Sequence, residues 1–308
     1  MATILITGGT GTIGKSLSKL LVEKQHEVII LTRHPRSASG AVSYAAWDPA
    51  NQTIDIAALQ KADYIFNLAG AGVADKRWSK KRKKEIVDSR VQSGQLLVKT
   101  MQENINKVQA VISMSGIGWY GDDKKRNPSQ KYFSEGDPAD ADFLGDTCVK
   151  WENAIKPVTA LNKRLVIFRT GIVLSNEGGA LAEFQKPVKA GIAPFFGNGE
   201  QVTSWIHIDD VCRLFVHAIE KEKVRGEYNI VAPEPVTNKH LMLTLAKKMK
   251  GKFYIPVYVP TFLLKLILGE LSIEILKSAT VSCEKVKSSG FQFLFPTLEA
   301  ALNDLLKK

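Results

Sequence analysis

In the first half of the chain, short apolar runs alternate with longer stretches of helical spacing. Strand-like runs occupy residues 3–7, 27–32, 42–46, 64–68, 108–113 and 164–169, and a late one spans 227–231. Between them, apolar positions recur every three to four residues over 13–24 (Ile13, Leu17, Leu20, Leu21), 83–104 and 143–161. Strands that alternate with helices predict an α/β fold, a doubly wound parallel sheet with right-handed crossovers. From about Gly171 the pattern loosens. Gly178-Gly179, Gly197-Asn198-Gly199 and prolines at 187, 194, 233, 235, 256 and 260 cut it into shorter elements. The expected organisation is one unit of residues 1–170 plus about 197–232, and a smaller α+β lobe of about 171–196 plus 233–308. That lobe belongs over the carboxyl ends of the strands, where open α/β sheets bind ligands.

The first strand runs straight into glycines. Residues Ile4 to Gly14 read I-L-I-T-G-G-T-G-T-I-G. Gly8, Gly11 and Gly14 give G-x-x-G-x-x-G, and Gly9, Gly11 and Gly14 also give G-x-G-x-x-G. A missing Cβ permits a tight turn, lets backbone approach a phosphate and lets the helix pack on the strand. The following helix offers free N–H groups and the positive end of its dipole to an anion. Strand, turn and amphipathic helix together make this a Rossmann-type dinucleotide site, with Thr7, Gly8, Gly9, Thr10, Gly11, Thr12, Ile13 and Gly14 as its expected residues. The alternative is a tight structural turn without a ligand. About twenty residues on, an acidic residue would bind the adenosine ribose and favour NAD. This chain has Thr32-Arg33 there. A guanidinium can grip a 2′-phosphate bidentately, so NADP(H) is the expected cofactor, with Arg33 as main ligand and Thr32 as hydroxyl donor. A solvated basic loop is the alternative.

Charge and cysteines add bounds. The formal net charge is +11, densest at Lys80-Lys81-Arg82-Lys83-Lys84 and at Lys247, Lys248, Lys250 and Lys252. No helix-turn-helix, RNA-binding aromatic motif or zinc finger accompanies these clusters. They read as solvated helix faces that attract an anionic cofactor or a small polar or anionic substrate, not as specific nucleic-acid or membrane sites. Residues 262–275 are apolar, but Lys265, Glu270 and Glu274 interrupt them, and the stretch is too short to span a bilayer. Cys148, Cys212 and Cys283 show no metal-type spacing and read as reduced, buried thiols. The cofactor strand begins near the first residue, so a cytoplasmic protein without a leader is expected.

Further motifs carry a family resemblance. T-G-G-T-G-T-I-G (7–14), N-L-A-G (67–70), S-M-S-G-I-G-W-Y-G (113–121) and W-I-H-I-D-D (205–210) resemble the extended short-chain dehydrogenase/reductase superfamily. L-A-G-A-G-V-A-D-K-R-W (68–78), D-F-L-G-D-T-C-V-K-W-E (142–152), R-T-G-I-V-L (169–174) and G-F-Q-F-L-F-P-T-L-E-A-A-L (290–302) narrow it to the atypical subgroup called the epimerase family. The resemblance covers nearly the whole chain. It implies that Leu68, Ala69, Gly70 and Ser113 lie along the cofactor, joined by Arg90 from the next helix. It also implies that Ser115 stands where the superfamily keeps a catalytic hydroxyl. A homodimer is the assembly to test.

The superfamily's chemistry uses Tyr-x-x-x-Lys on one helix face, where the lysine lowers the tyrosine pKa and the phenol relays a proton. The literal match, Tyr120 and Lys124, encloses Gly-Asp-Asp, which is turn chemistry. In the helix that should carry the pair, registered on Glu152, Leu144 and Cys148 take the two positions, as in the subgroup. Ser115 and Tyr120 are the remaining catalytic candidates, against packing roles for both. Cys148 as a thiolate, Glu135 as a general base and Asp75–Trp78 as a ligand clamp are further candidates. Arg169, His207 and Asp209 read as structural polar groups. Two functions follow: an NADP(H)-dependent oxidoreductase or sugar-nucleotide-epimerase-like protein without the usual dyad, or a non-enzymatic NADP(H)-binding sensor or scaffold.

Overall fold

The computed structural model describes residues 1–38 and 40–307. The strands are β1 (Thr3–Thr7), β2 (Glu27–Thr32), β3 (Val42–Asp48), β4 (Thr53–Ile54), β5 (Tyr64–Asn67), β6 (Ala110–Gly116), β7 (Arg164–Thr170), β8 (Ile172–Leu174), β9 (Ile192–Phe196), β10 (Val202–Thr203), β11 (Trp205–His207), β12 (Gly226–Ile230), β13 (Val236–Thr237) and β14 (Ile255–Val259). The α-helices are α1 (Thr12–Glu23), α2 (Ile56–Lys61), α3 (Lys80–Glu103), α4 (Phe143–Ile155), α5 (Ala180–Lys189), α6 (Ile208–Glu220), α7 (Asn238–Lys250), α8 (Thr261–Leu268), α9 (Leu271–Leu276), α10 (Glu284–Ser288) and α11 (Leu298–Leu305).

Eight strands form one sheet in the order β12-β7-β6-β5-β1-β2-β3-β4. All neighbours are parallel except the two-residue β4, which runs antiparallel to β3 at the edge. The strand order reverses between β1 and β5, which opens the crevice where such sheets bind ligands. Both faces are covered. Ile4, Ile6 and Phe66 join one core cluster with Leu17 and Leu21 of α1 and Phe215 of α6. Leu5 and Ile65 point the other way, into a cluster with Leu96, Leu97 and Ile155 of α3 and α4. Alternation of side chains along each strand therefore sends neighbouring residues to opposite faces, and both must be apolar.

Side chains fix most helix starts. Asp55 caps α2, Ser79 caps α3, Asp142 caps α4, Thr237 caps α7 and Thr297 caps α11. Helix α1, like α5, α8, α9 and α10, has no side-chain cap; it starts after Gly11. Its first N–H groups are left for another partner.

Beyond β7, α6 and β12 still belong to the main sheet layer, and the rest of the chain builds small two-stranded sheets (β10 with β13, β11 with β8, β14 with β9) and the helices around them. A third apolar cluster joins the two regions. Trp78 and Ile86 meet Leu271 of α9, with Phe143, Leu144 and Leu268 packed against them. Lys277 bridges the same seam, 3.0 Å from Asp142 and 2.9 Å from Glu274.

Candidate functional site

A cleft of about 740 Å³ follows the crevice at the strand reversal, within the range of small-molecule and cofactor sites. It is lined by Gly8, Thr10 and Gly11 after β1, by Thr32, Arg33 and His34 at the end of β2, and by Leu68, Ala69 and Gly70 after β5. The glycines have separate reasons. Gly8 has φ +67°, and a Cβ there would stand 2.9 Å from the Leu68 carbonyl. A Cβ on Gly14 would come within 2.5 Å of the Gly8 oxygen, so this glycine sets how closely α1 packs beneath the loop. At Gly11 a Cβ would approach only the Gly8 oxygen, at 3.4 Å. That side is open, and it faces the uncapped start of α1. Backbone N–H groups at a helix start of this kind suit an anion. Thr12 and Ile13 form the first turn of α1, and Gly178 closes over Thr12, its Cβ position 3.3 Å from Thr12 Oγ1. The Thr32 hydroxyl accepts from His34 N at 3.2 Å and keeps its own proton to donate.

Trp47 and Asp48, at the end of β3, also line the cleft, as do Lys81, Lys84 and Gln92 of α3. The reading of the sequence did not name them. The rule that ligands gather at carboxyl strand ends would have pointed to Trp47 and Asp48. The Asp48 carboxyl is held below the usual carboxylate range by the Asn51 side chain, by backbone N–H groups of Asn51 and Ala50, and by nearby Arg33.

Three residues expected at the cofactor turn inward instead. The Thr7 hydroxyl is fully buried; it donates to Asn67 Oδ1 at 2.9 Å and accepts from the N–H groups of Leu68 and Ala69. It locks β1 to the end of β5. Ser113 is buried too, accepting from Asn67 Nδ2 at 3.1 Å and donating to the Met114 carbonyl. Arg90 donates to the carbonyls of Ala71 and Ile86 at 2.9 and 2.8 Å and lies 4.7 Å from the Trp151 ring centroid. It holds up the Gly70–Ala71 backbone and does not reach into the cleft. Burial lowers its pKa to about 10.

Both catalytic candidates are likewise consumed by the fold. Ser115 donates to Glu152 Oε1 at 2.8 Å and is buried. Glu152 is gripped bidentately by Arg169, Nε to Oε1 at 2.8 Å and Nη2 to Oε2 at 3.0 Å. The Arg169 guanidinium lies 3.6 Å from the Trp119 ring centroid. Tyr120 is fully buried, stacked on Phe133, and donates to Asn229 Oδ1 at 2.8 Å. Burial pushes its phenol up to about 12. It is a core residue, not a proton donor at the cleft, and its literal partner Lys124 sits exposed in a 3-10 turn.

The dyad positions are as apolar in space as in sequence. Leu144 packs on the turn at Gly118, where a Cβ would stand 3.0 Å from its own. Cys148 donates its thiol to the Gly116 carbonyl at 3.5 Å. Burial, with Glu152 nearby, raises it to about 11, so a thiolate is disfavoured at neutral pH. Glu135 accepts from Asn229 N at 2.8 Å and braces β12. Trp78 is buried, donating to the Val73 carbonyl with its ring edge-on to Phe143, so it builds the seam and clamps nothing. His207 is buried on Phe295 and accepts from Asp209 N; Asp304 stands 3.6 Å from its Nε2.

Comparison with known proteins places the chain in a family. The model of the NAD dependent epimerase/dehydratase family matches residues 4–231, and a domain of unknown function, DUF1731, matches 259–305. An epimerase family protein of Staphylococcus saprophyticus is 34% identical over 307 residues, covering 99% of this chain and all of the relative. The human epimerase family protein SDR39U1, solved with NADPH, superposes with a TM-score of 0.86 at 29% identity, covering 98% of both chains. A UDP-N-acetylglucosamine 4-epimerase from Bacillus cereus shares the fold at 18% identity and a TM-score of 0.76, covering 99% and 98%. With a match over the whole nucleotide-binding sheet and a full-length relative, the chain belongs to the NAD-dependent epimerase/dehydratase family, in the branch of epimerase family proteins that carries the DUF1731 domain.

Proposed function

We propose that this protein binds NADP(H), and that its nicotinamide end is not built for tyrosine-relayed alcohol or carbonyl chemistry. The observation that carries the first part is the cleft itself, which runs from the uncapped start of α1 to Thr32-Arg33. The pyrophosphate suits the N–H groups behind Gly11, and the 2′-phosphate suits the Arg33 guanidinium. The human relative solved with NADPH supports the same reading. When bound, the nicotinamide would supply hydride transfer. What the protein offers beside it is Leu144, a protonated Cys148, and hydroxyls already committed to Glu152 and Asn229.

The test pairs two measurements on the purified chain. NADPH titration by tryptophan fluorescence should show saturable binding. NADPH oxidation across a broad carbonyl panel should stay at the enzyme-free rate. No binding would overturn the whole proposal, and fast oxidation of any panel member would overturn its second part. A second reading, an oxidoreductase or epimerase acting on a small polar or anionic molecule, draws on the family match and on the lobe beyond β7. That fast oxidation would establish an oxidoreductase, whereas an epimerase returns the hydride to its product and would show as conversion of a sugar nucleotide with no net NADPH oxidation.

A further inference from the structure

From Pro235 to Gly269 the chain carries six lysines (239, 247, 248, 250, 252 and 265) and no aspartate or glutamate. The same stretch, which builds α7, β14 and α8, exposes an unusual set of large apolar side chains. Phe253 is 86% exposed, Phe262 71%, Leu266 70% and Ile255 67%. Val257, Tyr258 and Ile267 are exposed as well. Single exposed apolar residues need no explanation, but a group of them from one segment marks an interaction surface. Sequence alone reads these lysines as a solvated face; the structure adds that the same segment exposes large apolar side chains.

What could cover this face is limited by its chemistry. Strand addition is disfavoured. Ile255 N is spent on the Gly191 carbonyl of the β9 side, and the next position, Pro256, has no N–H to offer an incoming strand. A second copy joined across a two-fold axis would set one group of lysines against its equal. An anionic bilayer surface matches both features. Its headgroups pair with the ammonium groups, and its acyl boundary accepts the phenylalanine and leucine side chains. We infer that the β14–α8 face docks on anionic lipid surfaces, lying on them without crossing. Helix α8 has eight residues, and among the described residues no helix is long and apolar enough to span a membrane.

The test is co-sedimentation of the full chain with vesicles of phosphatidylcholine alone and of phosphatidylcholine mixed with phosphatidylglycerol. The protein should pellet with the anionic vesicles and stay in solution with the neutral ones. Phe253→Ser/Leu266→Ser, and separately Lys250→Glu/Lys252→Glu, should weaken partitioning at least about tenfold. All four side chains lie outside the cofactor cleft, so NADPH binding and the melting temperature should not change. Wild-type protein left in solution with both vesicle types would overturn the inference. So would anionic binding that both double variants keep in full. So would a dimer in sedimentation equilibrium that Leu266→Ser splits, because that result assigns the face to a second copy.

Discussion

At the scale of single residues, what decides each role is direction. Thr7, Ser113, Ser115 and Tyr120 are the residue types and positions that a nucleotide-binding enzyme would use, and all four point into the protein. Their partners lie far away in sequence: Asn67 for Thr7, Glu152 for Ser115, Asn229 for Tyr120. No local pattern could show those pairings, whereas the glycine turn between β1 and α1 was legible because it depends on backbone geometry and chain order alone. Tyr120 gives a pH prediction. Its folded pKa, about 12, stands above the ordinary 10. Its contribution to stability is therefore complete below pH 10 and lost as pH rises through 12. The stability advantage of wild type over Tyr120→Phe, from thermal melts, should be constant up to pH 10 and shrink above it. Cys148 gives a second prediction. With its thiol near 11 and buried, native protein should react with iodoacetamide at this residue far more slowly at pH 8 than unfolded protein does, read by mass spectrometry.

At the scale of elements, the sheet strands other than β4 and helices α1, α3 and α4 followed from apolar spacing, whereas α6 and α7 did not, and the carboxyl ends of β1, β2, β3 and β5 border the cleft. The short elements beyond β7 did not follow. Two- and three-residue strands such as β8, β10, β11 and β13 exist only through partners elsewhere in the chain, so they leave little periodicity to read. Helix contacts are tight where small residues allow them. Helices α3 and α4 meet at Gly94, where a Cβ would stand 3.1 Å from that of Ala154. Gly94→Val should cost about 1–3 kcal/mol by overpacking, measured by urea unfolding. NADPH affinity should survive wherever the variant folds, because Gly94 packs on α4 and is not among the residues that line the cleft.

At the scale of the whole molecule, a few carboxylates tie the C-terminal segment to the main sheet. Asp210, fully buried at the start of α6, accepts from Leu294 N at 2.8 Å and Phe295 N at 2.9 Å. Asp123 does the same for Thr280. Asp210→Asn would set an amide N–H against a backbone N–H. It should cost about 3 kcal/mol and open the segment near Phe295 to limited proteolysis. The same molecule keeps a cleft beside the glycine turn, while Leu144 and Cys148 stand where the family resemblance would put the relay pair. That combination leaves possession of the cofactor as the property everything else rests on.

The most direct measurement is calorimetric titration of NADPH and NADH into wild-type protein and Arg33→Ala. Wild type should prefer NADPH by roughly tenfold to a hundredfold, the worth of a charge-assisted phosphate contact, and the variant should lose that preference while still binding NADH. No heat with NADPH, or a preference that Arg33→Ala leaves intact, would contradict the account.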